Sequence, residues 1–222
     1  GVHRRGRRRS IQAGALPLLT MIVSFEGVDG AGKNTLVMAV EKELVAREVP
    51  VARIAFPRYE ESNAAMLARE ALHENLGDLI DSVHGMATLF ALDRAEIGVE
   101  LASFDADGYM ILIDRYTASN VAYSAARTHG DVAEVGEWIM QLEQDMLGIP
   151  APDLQILVDV EAQVAGQRAE LREAQDQTRA RDAYERDSSL QERTVQAYRA
   201  LAEQQWLSPW VTVDSTGDDY EG

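Results

Sequence analysis

No cysteine occurs anywhere in the 222 residues. That excludes a disulfide framework, a thiolate metal centre and a cysteine nucleophile, and it agrees with a reducing, cytoplasmic setting. The four histidines, His3, His73, His84 and His129, are too scattered for a metal cluster. No apolar run reaches the roughly 18–20 residues that a bilayer span needs, so no membrane partner is expected. Lysine is nearly missing: Lys33 and Lys42 are the only two. Basic charge is scarce as a whole, with 21 Lys and Arg against 37 Asp and Glu and a net charge of −16. Five of the arginines lie in residues 1–20, which hold no acid, so the remainder carries 16 basic and 37 acidic side chains. Binding to nucleic acid is driven by phosphate neutralisation, and a body this acidic is a poor candidate for it. Any nucleotide site must gather its positive charge locally.

One such place is Gly27-Val28-Asp29-Gly30-Ala31-Gly32-Lys33-Asn34-Thr35. It follows the apolar run 21–26 and leads into a helical pattern at Leu36, Val37, Val40, Leu44 and Val45. Strand, glycine-rich turn and helix in that order build a phosphate cradle: backbone N–H groups wrap the anion, and the helix N-terminus adds partial positive charge. Lys33 is then within reach of the outer phosphates. The P-loop pattern G-x-x-x-x-G-K-[ST] is followed except in its last place. Asn34 stands where a hydroxyl would hold Mg²⁺, and Thr35 comes one residue later.

Short apolar runs at 51–56, 109–113, 154–158 and 210–213 read as further strands. Helical stretches separate them at 36–48, 64–74, 82–99, 118–128, 133–147 and 187–205. Continuous apolar strands alternating with helices predict one α/β domain over 21–222, a five-stranded, doubly wound parallel sheet with helices on both faces. Ligands of such sheets sit beyond the carboxyl ends of the strands. Residues 1–20 read as an appended or mis-called start before Met21, with a targeting arm and a disordered basic tail as alternatives. Segment 161–187 is polar, holds Arg168, Arg172, Arg179, Arg181 and Arg186, and suits a mobile lid better than a packed layer.

Candidate site residues follow the strands. Phe56-Pro57-Arg58-Tyr59 closes the second, and an Arg and a Tyr there can bind a phosphate. Asp114-Arg115-Tyr116 closes the third: the acid can hold Mg²⁺, and the arginine's planar fork suits phosphate oxygens. Phe90 and Arg94 share a helix face one turn apart, so one can stack on a base while the other bonds its edge. Asn120 and Tyr123, also about a turn apart, can contact a base and a sugar.

Together GVDGAGK, FPRY, FALDR, DRY followed by ASNVAYS, and RARDAYERD resemble the thymidylate kinases, most closely their actinobacterial and mycobacterial type. The resemblance runs from about Met21 to Asp214. It implies the nucleoside-monophosphate-kinase version of the P-loop fold, transfer of the γ-phosphate of ATP to dTMP in dTTP synthesis, Mg²⁺ as cofactor, and a cytoplasmic homodimer. By that resemblance Gly27, Gly30, Ala31, Gly32, Lys33, Asn34, Thr35 and Arg179 bind ATP. Phe90 stacks on thymine, Arg94 bonds its carbonyl edge, Asn120 faces the ring, and Tyr123 crowds the place of a 2′-hydroxyl. Tyr59, Arg115 and the backbone at Phe56 hold the acceptor phosphate, with Asp29, near the sugar 3′-hydroxyl, and Tyr184 also in the dTMP site. Lys33, Arg115, Asp29, Arg168 and Arg172 are the catalytic set. Asp29, Asp182 and Glu185 hold the metal in place of the missing hydroxyl, with Asp114 a further candidate. Kinases of another (deoxy)nucleoside monophosphate or of a deoxynucleoside, and a non-catalytic P-loop binding protein, remain alternatives.

Overall fold

The structure, a computed structural model, describes residues 21–175 and 182–217, with backbone alone at 105 and 106. Five strands, β1 (Met21–Glu26), β2 (Val51–Ala55), β3 (Met110–Asp114), β4 (Leu154–Asp159) and β5 (Trp210–Asp214), form one sheet of order β2-β3-β1-β4-β5. Every pairing is parallel. β1 lies at the centre, between β3 and β4, so chain connections diverge from its carboxyl end. That is where a doubly wound sheet opens a crevice.

Helices α1 (Lys33–Ala46), α2 (Asn63–Leu72), α3 (Val83–Glu96), α4 (Gly98–Ala106), α5 (Thr117–Thr128) and α6 (Val132–Met140) alternate with the first strands. After β4 come α7 (Ala162–Gln175), the short α8 (Ala183–Arg186) and α9 (Ser188–Glu203). Alternate strand residues feed two cores. Ile22, Ile111, Ile113 and Phe56 pack with Leu101 and Tyr116 on one face. Val23, Phe25 and Leu112 pack with Val37 of α1 on the other. A third cluster joins α5 and α9 through Val121, Ala122, Tyr198 and Leu201. Short side chains mark where helices are capped: Ser62, Ser82, Asp131 and Asp187 each accept a first-turn N–H.

Three expectations change. The helix expected over 82–99 ends at Glu96, and a separate α4 continues to Ala106, its Leu101 filling the core beneath β3. The helix expected over 133–147 is α-helical only to Met140, after which Gln141–Met146 winds as a wider π-helical turn. Segment 161–187, expected as a flap without a packed layer, begins with fourteen helical residues whose Ala165 and Ala169 are buried. Small residues do the packing there, which is why a search for large apolar ones misses it.

Candidate active site

Gly32 caps α1 in the left-handed region, φ 93°, and supplies no side chain to its first turn. The N–H groups of that turn are left for an anion. Gly30 has φ 80°, and a Cβ there would come within 2.2 Å of the carbonyl oxygen of Ala165. The loop therefore lies directly against α7. Lys33 is buried, with Nζ donating to the carbonyl of Val28 at 2.9 Å. Burial, then the charge of Arg115, pushes its amine down to about 8. Asn34 and Thr35 are exposed, and among the described residues Asn34 reaches only the Met38 sulfur, at 3.5 Å.

Arg115 follows β3 with φ 64°, a left-handed conformation that a long side chain seldom adopts. This turn aims the guanidinium at Asp29, 2.9 Å from its Oδ1. Nη1 also donates to Tyr198 Oη at 3.2 Å. Tyr123 donates its hydroxyl to Asp29 Oδ2 at 3.2 Å. Burial alone would raise the Asp29 carboxyl, but Arg115, Lys33 and Arg172 outweigh it and hold it well below the usual carboxylate range.

From this cluster a cleft runs between α3 and α5. Phe56, Tyr59, Phe90, Arg94, Asn120, Tyr123 and Tyr184 line it together with Asp29, Arg115 and Asp182. The nine residues expected around dTMP thus border one cavity. Arg94 reaches the Glu143 carboxylate through Nε at 2.8 Å. Tyr123 and Tyr184 stack with ring centres 6.0 Å apart, and Arg127 lies over the Tyr184 ring at 4.9 Å.

Other expected residues fall elsewhere. Arg58 does not face the cleft: its Nε pairs with the buried Asp93 at 3.0 Å, so the phosphate role read for it from the strand end is withdrawn. Arg168 donates to the carbonyl of Ser215 at 2.9 Å and does not line the cleft, because a backbone acceptor beside the P-loop occupies it. Arg172 pairs with Glu185 at 3.0 Å. Arg179 lies outside the described residues. Asp182 and Glu185 cap α8 reciprocally, Asp182 accepting from Glu185 N at 2.9 Å and Glu185 from Asp182 N at 3.3 Å. Asp29 is paired with Arg115, and among the described residues no three His, Asp or Glu side chains converge as a metal cluster. Burial, then Asp29 and Asp182, pushes the Glu185 carboxyl up to about 7, and burial foremost raises Asp182. Asp114 keeps one buried carboxylate oxygen, Oδ1, without a hydrogen-bond partner.

Sequence reading missed Glu26, Glu143, Tyr198 and Arg127. Glu26 had a signal: it is the one charged residue of a mostly apolar first strand. It accepts from Tyr116 N at 2.9 Å and from Ser119 Oγ at 2.7 Å. Burial, opposed by those bonds and by Arg115, pushes it up to about 7. A carboxyl raised above its unfolded value of 4.5 gives stability that is present in acid and lost as pH rises through about 7. Glu26→Gln removes that dependence while Ser119 can turn its hydroxyl to accept. Urea unfolding at pH 5 and pH 8 is expected to show wild type losing on the order of 2–3 kcal/mol that the variant keeps. Parallel pH curves would refute this.

The sheet order, the loop after its central strand and the cleft beside it define a P-loop kinase of the nucleoside-monophosphate type. The sequence profile described as Thymidylate kinase matches residues 25–217. A thymidylate kinase of Mycobacterium tuberculosis is 48% identical over 200 residues, covering 89% of this chain and 93% of its own. One from Leifsonia xyli subsp. xyli is 32% identical over 187 residues, covering 82% and 81%, and one from Magnetococcus marinus is 29% identical over 183, covering 82% of each. The chain belongs to the thymidylate kinase family.

Proposed function

We propose that the protein transfers the γ-phosphate of ATP to dTMP, giving ADP and dTDP. The observation that carries this reading is one cleft with an aromatic and donor–acceptor end at Phe90, Arg94 and Asn120 and a cationic end at Arg115, beside a P-loop. In it Phe90 stacks on thymine, Arg94 and Asn120 meet its edge, Tyr123 crowds a 2′-hydroxyl, and Tyr184 closes the same wall. Tyr59, Arg115 and the backbone at Phe56 take the acceptor phosphate. Backbone groups from Gly27 to Thr35, with Lys33, take the donor phosphates. Arg172 is the described lid arginine whose charge reaches Asp29. Arranged so, positioning and charge stabilisation supply most of the rate, without a covalent intermediate.

Among the described residues the carboxylates expected to hold Mg²⁺ do not converge as a ready-made metal cluster. Asp29 adds to the cost of ionising both Asp182 and Glu185, and the buried Asp114 oxygen has no hydrogen-bond donor. A Mg²⁺ ion arriving with the phosphates would draw on Asp29, Asp182 and Glu185, with Asp114 in reserve, in exchange for their present partners, and would neutralise phosphate charge. No helix among the described residues is long and apolar enough to cross a membrane. A cytoplasmic homodimer is part of the same reading, and exposed Met66, Leu67, Leu92 and Val99 on α2–α4 offer apolar surface to a second copy.

Coupled ADP release with ATP and Mg²⁺ against dTMP, dUMP, dCMP, UMP and thymidine tests the function. Turnover is expected to be highest with dTMP. Activity confined to thymidine or dCMP refutes it.

A further inference from the structure

The buried Glu143 carboxylate is fully enclosed and lies on the π-helical turn. Four donors converge on it. Oε2 accepts from Arg94 Nε and from Thr117 Oγ1, each at 2.8 Å. Oε1 accepts from Arg94 Nη2 and from Asn120 Nδ2, the latter at 2.8 Å. A carboxylate has about four lone-pair sites, so this one is saturated. The other N–H of Asn120 goes to the carbonyl of Ala87 at 2.9 Å. Both partners of the amide nitrogen are acceptors without a proton to give, which fixes the amide orientation chemically. What Asn120 has left for the cleft is an acceptor, Oδ1. What Arg94 has left is a donor, Nη1.

We propose that Glu143 is the positioning residue that sets the polarity of base reading, one donor beside one acceptor. Such a pair matches a pyrimidine imide edge, which offers a carbonyl oxygen and a ring N–H. It mismatches a cytosine edge, which offers an amino group and a bare ring nitrogen. The π turn is part of the device, since an extra residue in a helical turn redirects a side chain, and such turns recur at functional sites. The inference rests on the base being read by Arg94 and Asn120.

Glu143→Gln tests it. Both oxygens of Glu143 face Arg94, which can only donate, so an amide nitrogen in either place breaks the fork. The KM for dTMP is expected to rise about 10–100-fold with the KM for ATP unchanged, as for a lost hydrogen bond to a charged group. The ratio of kcat/KM for dTMP over 5-methyl-dCMP, nearly isosteric but with the opposite edge, is expected to narrow by a similar factor. A purely structural role lowers the melting temperature and both substrates equally, leaving the ratio intact, and that result overturns the proposal. If the Gln variant does not fold, Glu143→Asp, which keeps the charge but is one methylene short, is read by the same ratio. Arg94→Ala separates the two levels. If it leaves the ratio unchanged, the base-reading assignment itself fails. If it collapses the ratio while the Glu143 variants do not, only the role of Glu143 falls.

Discussion

Arg115→Ala is expected to lower turnover by about 10²–10⁴-fold, the range for a lost preorganised charge contact. Arg115 is the cation on which the cleft's polar side chains converge, contacting Asp29, Tyr123, Tyr198 and Ser119 at once. Its left-handed backbone is an energetic cost that its surroundings offset, among them the bond from its N–H to the Phe25 carbonyl at 3.0 Å. Removing the side chain takes away the planar fork offered to a phosphate. It also leaves the Asp29 carboxylate without its chief cation, so that carboxyl rises from its depressed position and the acid limb of the pH–rate profile moves to higher pH. Arg115→Lys is expected to recover only part of the activity, because a point charge does not reproduce two parallel N–H donors. Steady-state assays with saturating ATP and dTMP decide the matter: wild-type-like turnover in the Ala variant would remove Arg115 from the mechanism.

Lys33→Ala is expected to cost a comparable 10²–10⁴-fold. Lys33 spans the P-loop, anchored on the Val28 carbonyl, and is one of two lysines in the chain. With its amine held down at about 8, chiefly by burial, folding gains nothing from the charge at neutral pH. A depressed amine contributes stability that is present above its unfolded value of 10.5 and lost as pH falls through about 8. The charge is therefore kept for a ligand at a cost to folding, and the variant is expected to melt at or above wild type at neutral pH while failing in turnover. An Ala variant that turns over normally sinks the donor-site assignment. One that loses activity only by unfolding removes its support.

How far the chain could be read follows from where the partners lie. The phosphate loop is contiguous, and Phe90 with Arg94 needs only one helical turn, so local spacing suffices for both. The five strands stand out because strands covered on both faces are continuously apolar. Arg58 could not be placed this way, since its partner Asp93 is 35 positions away. Nor could Glu143, whose partners lie 49, 26 and 23 positions off and whose π turn leaves no periodic trace. Segment 162–175 failed for a third reason: backbone and alanine can form a packed face without any large side chain.

On the proposed role of Glu143, the π turn also makes recognition depend on chain length. Each residue of an α-helix turns the chain by roughly 100°. Deleting one residue within 141–146 would heal the turn into ordinary helix and swing everything on one side of the cut by that angle relative to the other. The carboxylate would leave Arg94 with every amino acid of the cleft unchanged. If Glu143 sets the base reading as proposed, base selection is in that sense a matter of counting as well as of chemistry.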